Sequence, residues 1–311
     1  MMYLKKPDWA WQAEGEAFYV HQWVKQEGQA DVVLFGAPQS RTSISASAAS
    51  DYPEAFRKTW KRFTTYNLDE RVDLRSISVR DAGDIAMHTT DIAESNRRIE
   101  ETVKELAHEF TCMIGGDHST TACAVRGVKA AFPDETIGIL QLDTHLDVRN
   151  PAELGPANGT PIRQLIDGQT VKGENVVNIG LHGYFNAKPL IDYADAHGIR
   201  MVTMREARRN GMTETIRQAA ETLKGVDRIY ATIDLDVLDI AVAPGIPAST
   251  PGGMKAEELF EALLEIGKMP QVKHIDFVEL DPAKDNQEAA TVKTGVYAWL
   301  QFMTGVALRQ K

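Results

Sequence analysis

The residues of this chain best suited to metal chemistry form an Asp-x-His-x-Asp motif at Asp143, His145 and Asp147. The motif follows the apolar run at residues 137–140, which predicts a buried strand of a parallel sheet. Side chains two positions apart share one face of a strand, so Asp143 and His145 are expected to project together, with Asp147 on the following loop. Such closely packed groups are costly unless a cation lies among them. The alternative is a polar loop or a helix cap that binds no metal.

Three further motifs lie at the C-terminal ends of predicted strands: Gly116-Asp117-His118, Asp234-Leu235-Asp236 and Glu279. The carboxyl ends of parallel strands meet at one edge of a sheet, where ligands bind. Thiolates would favour zinc, whereas carboxylates with some imidazole suit Mn²⁺ and related ions. Two such ions, about 3.5–4 Å apart, would hold and deprotonate a water. The sequence therefore predicts a binuclear site for two ions of Mn²⁺ or a related metal per subunit, and the candidate ligands are His118, Asp143, His145, Asp147, Asp234 and Asp236.

The elements that must position these motifs alternate between strand and helix patterns, which predicts one doubly wound α/β domain over residues 1–311. Predicted helices cover residues 90–109 and 254–267. The predicted strands are residues 31–36, 110–114, 137–143, 176–180, 200–203, 228–234 and 272–280. Residues 1–30 hold three tryptophans, Trp9, Trp11 and Trp23, and are expected to form an N-terminal arm and helix that packs or makes a subunit contact.

Composition excludes several classes of function. Of the 311 residues, 43% are hydrophobic and 25% charged, and the net charge of −10 argues against a nucleic-acid partner. No apolar stretch reaches transmembrane length, and the first residues lack the apolar core of a signal peptide. The two cysteines, Cys112 and Cys123, have no metal-type spacing, which indicates packed thiols in a reducing cytoplasm.

Four motifs together resemble those of the ureohydrolase superfamily, which includes arginase, agmatinase and formimidoylglutamase. They read Gly-Gly-Asp-His-Ser, Asp-Thr-His-Leu-Asp, Asp-Leu-Asp-Val-Leu-Asp and Val-Glu-Leu-Asp-Pro. The segments at residues 81–84, 243–245 and 252–253 resemble the flanking regions of that superfamily. The resemblance implies a three-layer αβα arginase-like fold with a central, mostly parallel sheet. It also implies a manganese pair and a homo-oligomer, either a trimer or a hexamer.

The resemblance also assigns roles to single residues. It places one metal on His118, Asp143, Asp147 and Asp234, and the other on Asp143, His145, Asp234 and Asp236. Glu279 matches the acid that grips the amidine end of the substrate, a planar N–C–N group that pairs well with a carboxylate. The predicted catalytic residues are Asp147, His145 and Glu279. Asp147 or a water is expected to protonate the leaving nitrogen.

Departures from the family pattern at two single positions narrow the choice of substrate. Asn158 stands where arginases and agmatinases carry a histidine proposed as a proton shuttle, and an amide cannot exchange protons near neutral pH. Arg149 stands where arginases carry a smaller polar residue. A guanidinium there suits a substrate with carboxylates at its far end and repels the cationic tail of agmatine. The alternative is that Arg149 faces solvent or pairs with a neighbouring glutamate.

Further candidates for the substrate side are less specific. Arg41 is either a second carboxylate contact or a surface arginine, and Arg163 and His182 could line the pocket together with Tyr184 and Asn186. The resemblance favours formimidoylglutamase, which converts N-formimidoyl-L-glutamate to L-glutamate and formamide in histidine degradation. A guanidino hydrolase of the agmatinase or guanidinobutyrase type, which releases urea, is the alternative. A non-catalytic metal-binding subunit is a third possibility, from another class.

Overall fold

The computed structural model describes residues 17–309, and a parallel sheet of eight strands runs through the centre of that part of the chain. A two-stranded hairpin lies outside the sheet. The strands are β1 Val32–Ala37, β2 Tyr66–Asn67, β3 Val72–Asp73, β4 Val79–Asp84, β5 Phe110–Gly115, β6 Ile137–Leu142, β7 Val176–Leu181, β8 Arg200–Thr203, β9 Arg228–Asp234 and β10 Val272–Val278. The order in the sheet is β4-β1-β5-β10-β9-β6-β7-β8, and every neighbouring pair is parallel.

Helices cover both faces of the sheet. They are α1 Val20–Trp23, α2 Tyr52–Thr59, α3 Ile92–Leu106, α4 Ser119–Ala131, α5 Pro151–Leu154, α6 Pro161–Asp167, α7 Lys188–His197, α8 Met204–Asn210, α9 Met212–Thr222, α10 Ala256–Lys268 and α11 Ala290–Leu308. One apolar core joins the sheet to α2, α8, α9, α10 and α11, and a second core joins it to α3, α4, α6 and α7. The predicted three-layer αβα fold is therefore confirmed.

Local sequence signals explain why these elements form. In α3, the Asp91 side chain accepts a hydrogen bond from the Glu94 amide and caps the first turn, while Ile99 and Val103 face the core. The central strand β6 is buried along its whole length, as its apolar run predicts. The positions of α3 and β6 thus follow from capping and hydrophobic periodicity alone.

The strand ends collect the predicted metal ligands at one edge of the sheet. Gly116-Asp117-His118 follows β5, Asp143 follows β6, and Glu279 follows β10. Asp234 is the last residue of β9. Because β5, β10, β9 and β6 are consecutive neighbours in the sheet, these four ends lie side by side.

The N-terminal arm is described only in part. Trp9 and Trp11 lie outside the described residues, whereas Trp23 is buried in α1. Its indole Nε1 donates to the carbonyl of Ile77 at 2.8 Å, and its ring packs against Trp299. Trp23 therefore has the packing role that the sequence predicted. Among the described helices, none is long and apolar enough to span a membrane.

Candidate metal centre

Four buried side chains converge at the ends of β5, β6 and β9. Nδ1 of His118 lies 2.8 Å from a carboxylate oxygen of Asp147, 3.1 Å from Asp234 and 3.4 Å from Asp143. One ligand atom from each of the four residues lies within 4.8 Å of the others. This geometry suits one divalent cation, and the four residues are those that the family resemblance implies for the first metal.

A second group shares Asp143 with the first. Nδ1 of His145 lies 2.7 Å from a carboxylate oxygen of Asp236 and 3.7 Å from Asp143. Asp143, His145 and Asp236 have ligand atoms within 4.8 Å of one another. Asp234 falls in the first group only, so the predicted sharing of Asp234 between both metals is not seen in this geometry.

The buried carboxylates of the cluster repel one another unless protons or cations compensate their negative charge. Burial and the neighbouring acids Asp236 and Asp147 raise the pKa of Asp143 to about 8. Burial opposes protonation of His145, but the carboxylates around it outweigh that effect and raise its pKa to about 11. The cluster therefore retains protons where cations would otherwise lie, because so many carboxylates share one buried site.

His118, the histidine of the first group, gives the clearest sign that the cluster suits a metal cation. Nδ1 of His118 is buried and makes no hydrogen bond to any described residue, although three carboxylate oxygens lie within 3.4 Å of it. A neutral imidazole nitrogen facing carboxylates is repelled by them unless a cation lies between. The donor set of carboxylates and imidazoles is also the kind that manganese and related ions accept.

The backbone bends sharply at two of the site residues. Asp147 has φ 53° and Glu279 has φ 67°, in the left-handed region that non-glycine residues rarely adopt. Glu279 directly follows β10, whereas Asp147 lies in the loop after β6. Such conformations cost about 1–3 kcal/mol each and concentrate at functional sites.

Glu279 lies beside the cluster with one oxygen occupied and one without a partner. Oε1 accepts hydrogen bonds from the backbone amide of His118 at 2.7 Å and from Nδ2 of Asn158 at 2.9 Å. Oε2 is buried and has no hydrogen-bond partner among residues 17–309. Burial, together with the nearby carboxylate of Asp117, raises the pKa of Glu279 to about 8. The unpartnered oxygen is the atom that a cationic ligand would meet.

A cavity of about 160 Å³ opens onto this cluster. Its inner wall is acidic and includes Asp147, Asp234, Asp236 and Glu279, with His145 beside them. Its outer wall carries Ile44, Arg149, Asn158, Phe185 and Asn186. Arg149 is exposed, and within residues 17–309 its guanidinium takes part in no ion pair or hydrogen bond.

Three predicted substrate contacts lie elsewhere. The guanidinium of Arg41 donates to the carbonyls of His88 and Thr89, because the loop at residues 88–89 offers it two acceptors. Arg163 pairs with Asp167 one helical turn away and stacks on Tyr193. The ring of His182 is held between the carbonyl of Gly180 and the hydroxyl of Thr250. None of the three lines the cavity, and their role as substrate contacts stays a prediction.

The remaining two candidates for the pocket lining, Asn186 and Tyr184, differ from each other. Asn186 lines the cavity, where its amide donates to the carbonyl of Thr144 and accepts from the amide of Leu146. It therefore holds the metal-binding loop in shape. Tyr184 is fully exposed, at 101% of its reference area, and does not line the cavity.

Sequence reasoning missed how the loop at residues 42–45 closes on the site. Asn158 accepts from the amide of Ile44 and donates to the hydroxyl of Ser43 as well as to Glu279. Asp117 accepts from the amide and hydroxyl of Thr42. The loop is polar, and no spacing pattern in its sequence identifies these partners.

Comparison with known proteins places the chain among amidine hydrolases. A family model described as the Arginase family matches residues 30–305. A formimidoylglutamase of Halalkalibacterium halodurans is 38% identical over 300 residues, which cover 95% of this chain and 92% of the relative.

Two solved structures have the same fold. The crystal structure of formimidoylglutamase from Bacillus subtilis subsp. subtilis str. 168 has a TM-score of 0.92 and 30% identity, covering 98% of this chain and 97% of the other. The crystal structure of Trypanosoma cruzi formiminoglutamase with Mn²⁺ has a TM-score of 0.88 and 26% identity, covering 94% of this chain and 100% of the other.

Proposed function

Because this chain belongs to the arginase family, as the match over residues 30–305 shows, we propose that it hydrolyses a linear amidine at a pair of Mn²⁺ ions. The family membership predicted from the four sequence motifs is thereby confirmed. The proposed substrate is N-formimidoyl-L-glutamate, and the products are L-glutamate and formamide. Relatives at 38% and 33% identity carry the name formimidoylglutamase, which supports this choice.

The observation that carries the proposal is the polarity of the cavity. At its inner end lie the carboxylates of the metal cluster and Glu279, and at its mouth lies the guanidinium of Arg149, which pairs with no residue of the described part of the chain. N-formimidoyl-L-glutamate has the complementary polarity, with a planar amidine at one end and two carboxylates at the other. Guanidinium and carboxylate form strong charge-assisted pairs, so Arg149 would select for an acidic tail.

The ligand set supports a manganese pair. His118, Asp143, Asp147 and Asp234 would hold one ion, and Asp143, His145 and Asp236 the other. Such a pair, when bound, supplies a water that is deprotonated near neutral pH. The solved relative from T. cruzi contains Mn²⁺, and the carboxylate-rich donor set is suited to the same ion.

Two acidic residues of this chain would orient the amidine and protonate the leaving nitrogen. The free Oε2 of Glu279 would accept from the amidine N–H groups, while Asn158 and the His118 amide hold Oε1 in place. The positive amidine would favour the ionised form of Glu279. Asp147, which lines the cavity, would carry the proton to the departing glutamate nitrogen.

Asn158 argues against arginase-type and agmatinase-type chemistry. Its amide is engaged by Glu279, Ser43 and Ile44, and it has no titratable proton near neutral pH. A guanidino acid remains an alternative substrate, because its planar head would also suit Glu279 and its carboxylate would also suit Arg149. A non-catalytic metal-binding subunit is the alternative from another class, and turnover of any amidine would exclude it.

We further propose that the chain forms a single domain, acts in the cytoplasm in histidine degradation, and assembles as a trimer or hexamer. One continuous sheet with strands from Val32 to Val278 supports the single domain. We propose that the chain binds a small acidic substrate and neither nucleic acid nor membrane, which is consistent with its net charge of −10. The assembly and the pathway follow from the family resemblance.

Product analysis tests the proposed substrate. Protein loaded with Mn²⁺ is incubated separately with N-formimidoyl-L-glutamate, agmatine, arginine and 4-guanidinobutyrate, and formamide and urea are quantified. The expected result is formamide from the first compound and no urea from the others. Urea from a guanidino compound would replace the proposed substrate, and no product from any of them with two ions bound would favour the non-catalytic alternative.

A further inference from the structure

A row of buried polar residues crosses the central sheet directly beneath the metal cluster. Asn178, Gln141, Thr232 and Asp276 lie on the neighbouring strands β7, β6, β9 and β10, and the register pairs each with the next. All four are completely buried. Strands of parallel sheets are normally apolar on both faces, so four polar residues in one register row call for an explanation.

Three members of the row hydrogen-bond to metal-ligand residues. Nδ2 of Asn178 donates to the carbonyl of His145 at 2.6 Å, and Nε2 of Gln141 donates to the Asp143 carboxylate at 2.6 Å. The Thr232 hydroxyl lies 2.9 Å from Nε2 of His118. The row is therefore connected to the imidazole of His118, to the backbone of His145 and to the Asp143 carboxylate that the two ligand groups share.

Asp276 determines the direction of the hydrogen bond to His118. Its carboxylate accepts from the hydroxyl of Thr232 at 2.6 Å, and from those of Thr121 and Tyr230 at 2.8 Å each. A hydroxyl has a single proton to donate. Because Thr232 donates that proton to Asp276, its oxygen must accept from Nε2–H of His118.

The consequence is a fixed tautomer. With the proton on Nε2, the lone pair of His118 is on Nδ1, which is the buried nitrogen that faces Asp147, Asp234 and Asp143 without a hydrogen bond. That nitrogen can then bind a metal. The opposite tautomer would place a proton where the ion has to bind, and binding would require its removal.

We propose that Thr232 and Asp276 are positioning residues that hold His118 as the Nε2–H tautomer and so prepare the first metal group for its ion. The inference rests on the proposed function, because it needs the metal pair. Outer hydrogen-bond partners of metal-ligating histidines typically change metal affinity about 10- to 100-fold when removed. Within residues 17–309, the hydrogen bonds of Thr232 do not reach the second group, Asp143, His145 and Asp236, so we expect that group to keep its own ion.

Two substitutions at position 232 separate the hydroxyl from the shape of the side chain. Thr232→Val keeps the volume and removes the hydroxyl, whereas Thr232→Ser keeps the hydroxyl. Binding of Mn²⁺ is followed by electron paramagnetic resonance of the free ion, which requires no turnover. We expect Thr232→Val to weaken one of the two sites about 10- to 100-fold and to leave the other unchanged, while Thr232→Ser binds both ions within about threefold of wild type.

A third variant covers the case in which Thr232→Val does not fold, as judged by circular dichroism and metal-free thermal unfolding. In Asp276→Asn, the amide would donate to Thr232, and the Thr232 hydroxyl would then donate to Nε2 and impose the wrong tautomer. We expect the same selective loss of one ion. Two ions bound with wild-type affinity by folded Thr232→Val or Asp276→Asn protein would overturn the inference, as would equal weakening of both sites. Wild-type protein that binds no ion pair would instead overturn the proposed metal centre.

Discussion

At the scale of the residue, spacing predicted which side chains could meet, and local partners decided which of them face the cavity. The six proposed metal ligands lie at or just after strand ends, and five of them are spaced two residues apart. All six lie together in the structure. Arginines were harder to place, because their long side chains find acceptors that the sequence does not reveal. Arg41 donates to two loop carbonyls, whereas the Arg149 guanidinium, at the mouth of the cavity, pairs with none of the residues that the structure describes.

The pKa shifts at the site predict how metal-free protein responds to pH. The pKa values of Asp143 and Glu279 are raised to about 8 by burial and by neighbouring acids, and that of His145 is raised to about 11 by the carboxylates that outweigh its burial. In unfolded chains these groups release their protons at much lower pH. The folded state therefore holds more protons between pH 7 and pH 9, and its free energy of unfolding falls as the pH rises.

Each retained proton contributes a slope of roughly 1.4 kcal/mol per pH unit. The buried His274, whose pKa is lowered to about 3, makes the free energy of unfolding rise with pH instead. That rise takes place almost entirely below pH 7, outside the range from pH 7 to pH 9. Urea unfolding of chelator-treated protein at pH 7 and pH 9 measures the difference. Saturating Mn²⁺ should remove this loss, because the ions replace the protons. Metal-free protein that becomes more stable from pH 7 to pH 9 would contradict the assignment.

At the scale of the element, the site depends on close contact between the turn after β5 and the loop after β1. The amide of Asp117 donates to the carbonyl of Gln39 at 2.7 Å. A Cβ atom on Gly116 would lie 1.7 Å from the same carbonyl oxygen. A double glycine before the histidine was visible in the sequence, but the loop that approaches it was not, because loop partners leave no periodic signal.

Substitution of Gly116 by alanine should therefore separate these two segments. We expect Gly116→Ala to lower the free energy of unfolding by about 2–3 kcal/mol, since backbone rather than a flexible side chain must move. Gly225→Ala is the matched control, because a Cβ there meets nothing within 4 Å. It should change the stability by less than about 1 kcal/mol. Urea denaturation compares the two variants, and equal stabilities would show that the contact between the segments is not tight.

At the scale of the whole molecule, the alternation of strand and helix patterns predicted the αβα class, and capping signals located helices such as α3. The strand order could not be predicted from the residues, because apolar runs such as β6 and β9 carry no information about which neighbour they pair with. That order places β5, β10, β9 and β6 side by side and so brings the ends of four strands to one cavity. The cavity then joins an acidic inner wall to a cationic mouth.

The steady-state kinetics of Arg149→Ala with N-formimidoyl-L-glutamate test this two-ended site most directly. Arg163→Ala is the matched control, because Arg163 pairs with Asp167 outside the cavity. We predict that Arg149→Ala raises KM at least about tenfold, as expected for the loss of a charge-assisted pair, while Arg163→Ala stays within about twofold of wild type. Both variants should still bind two Mn²⁺. An unchanged KM in Arg149→Ala would contradict the account, because the acidic tail of the substrate would then be bound elsewhere.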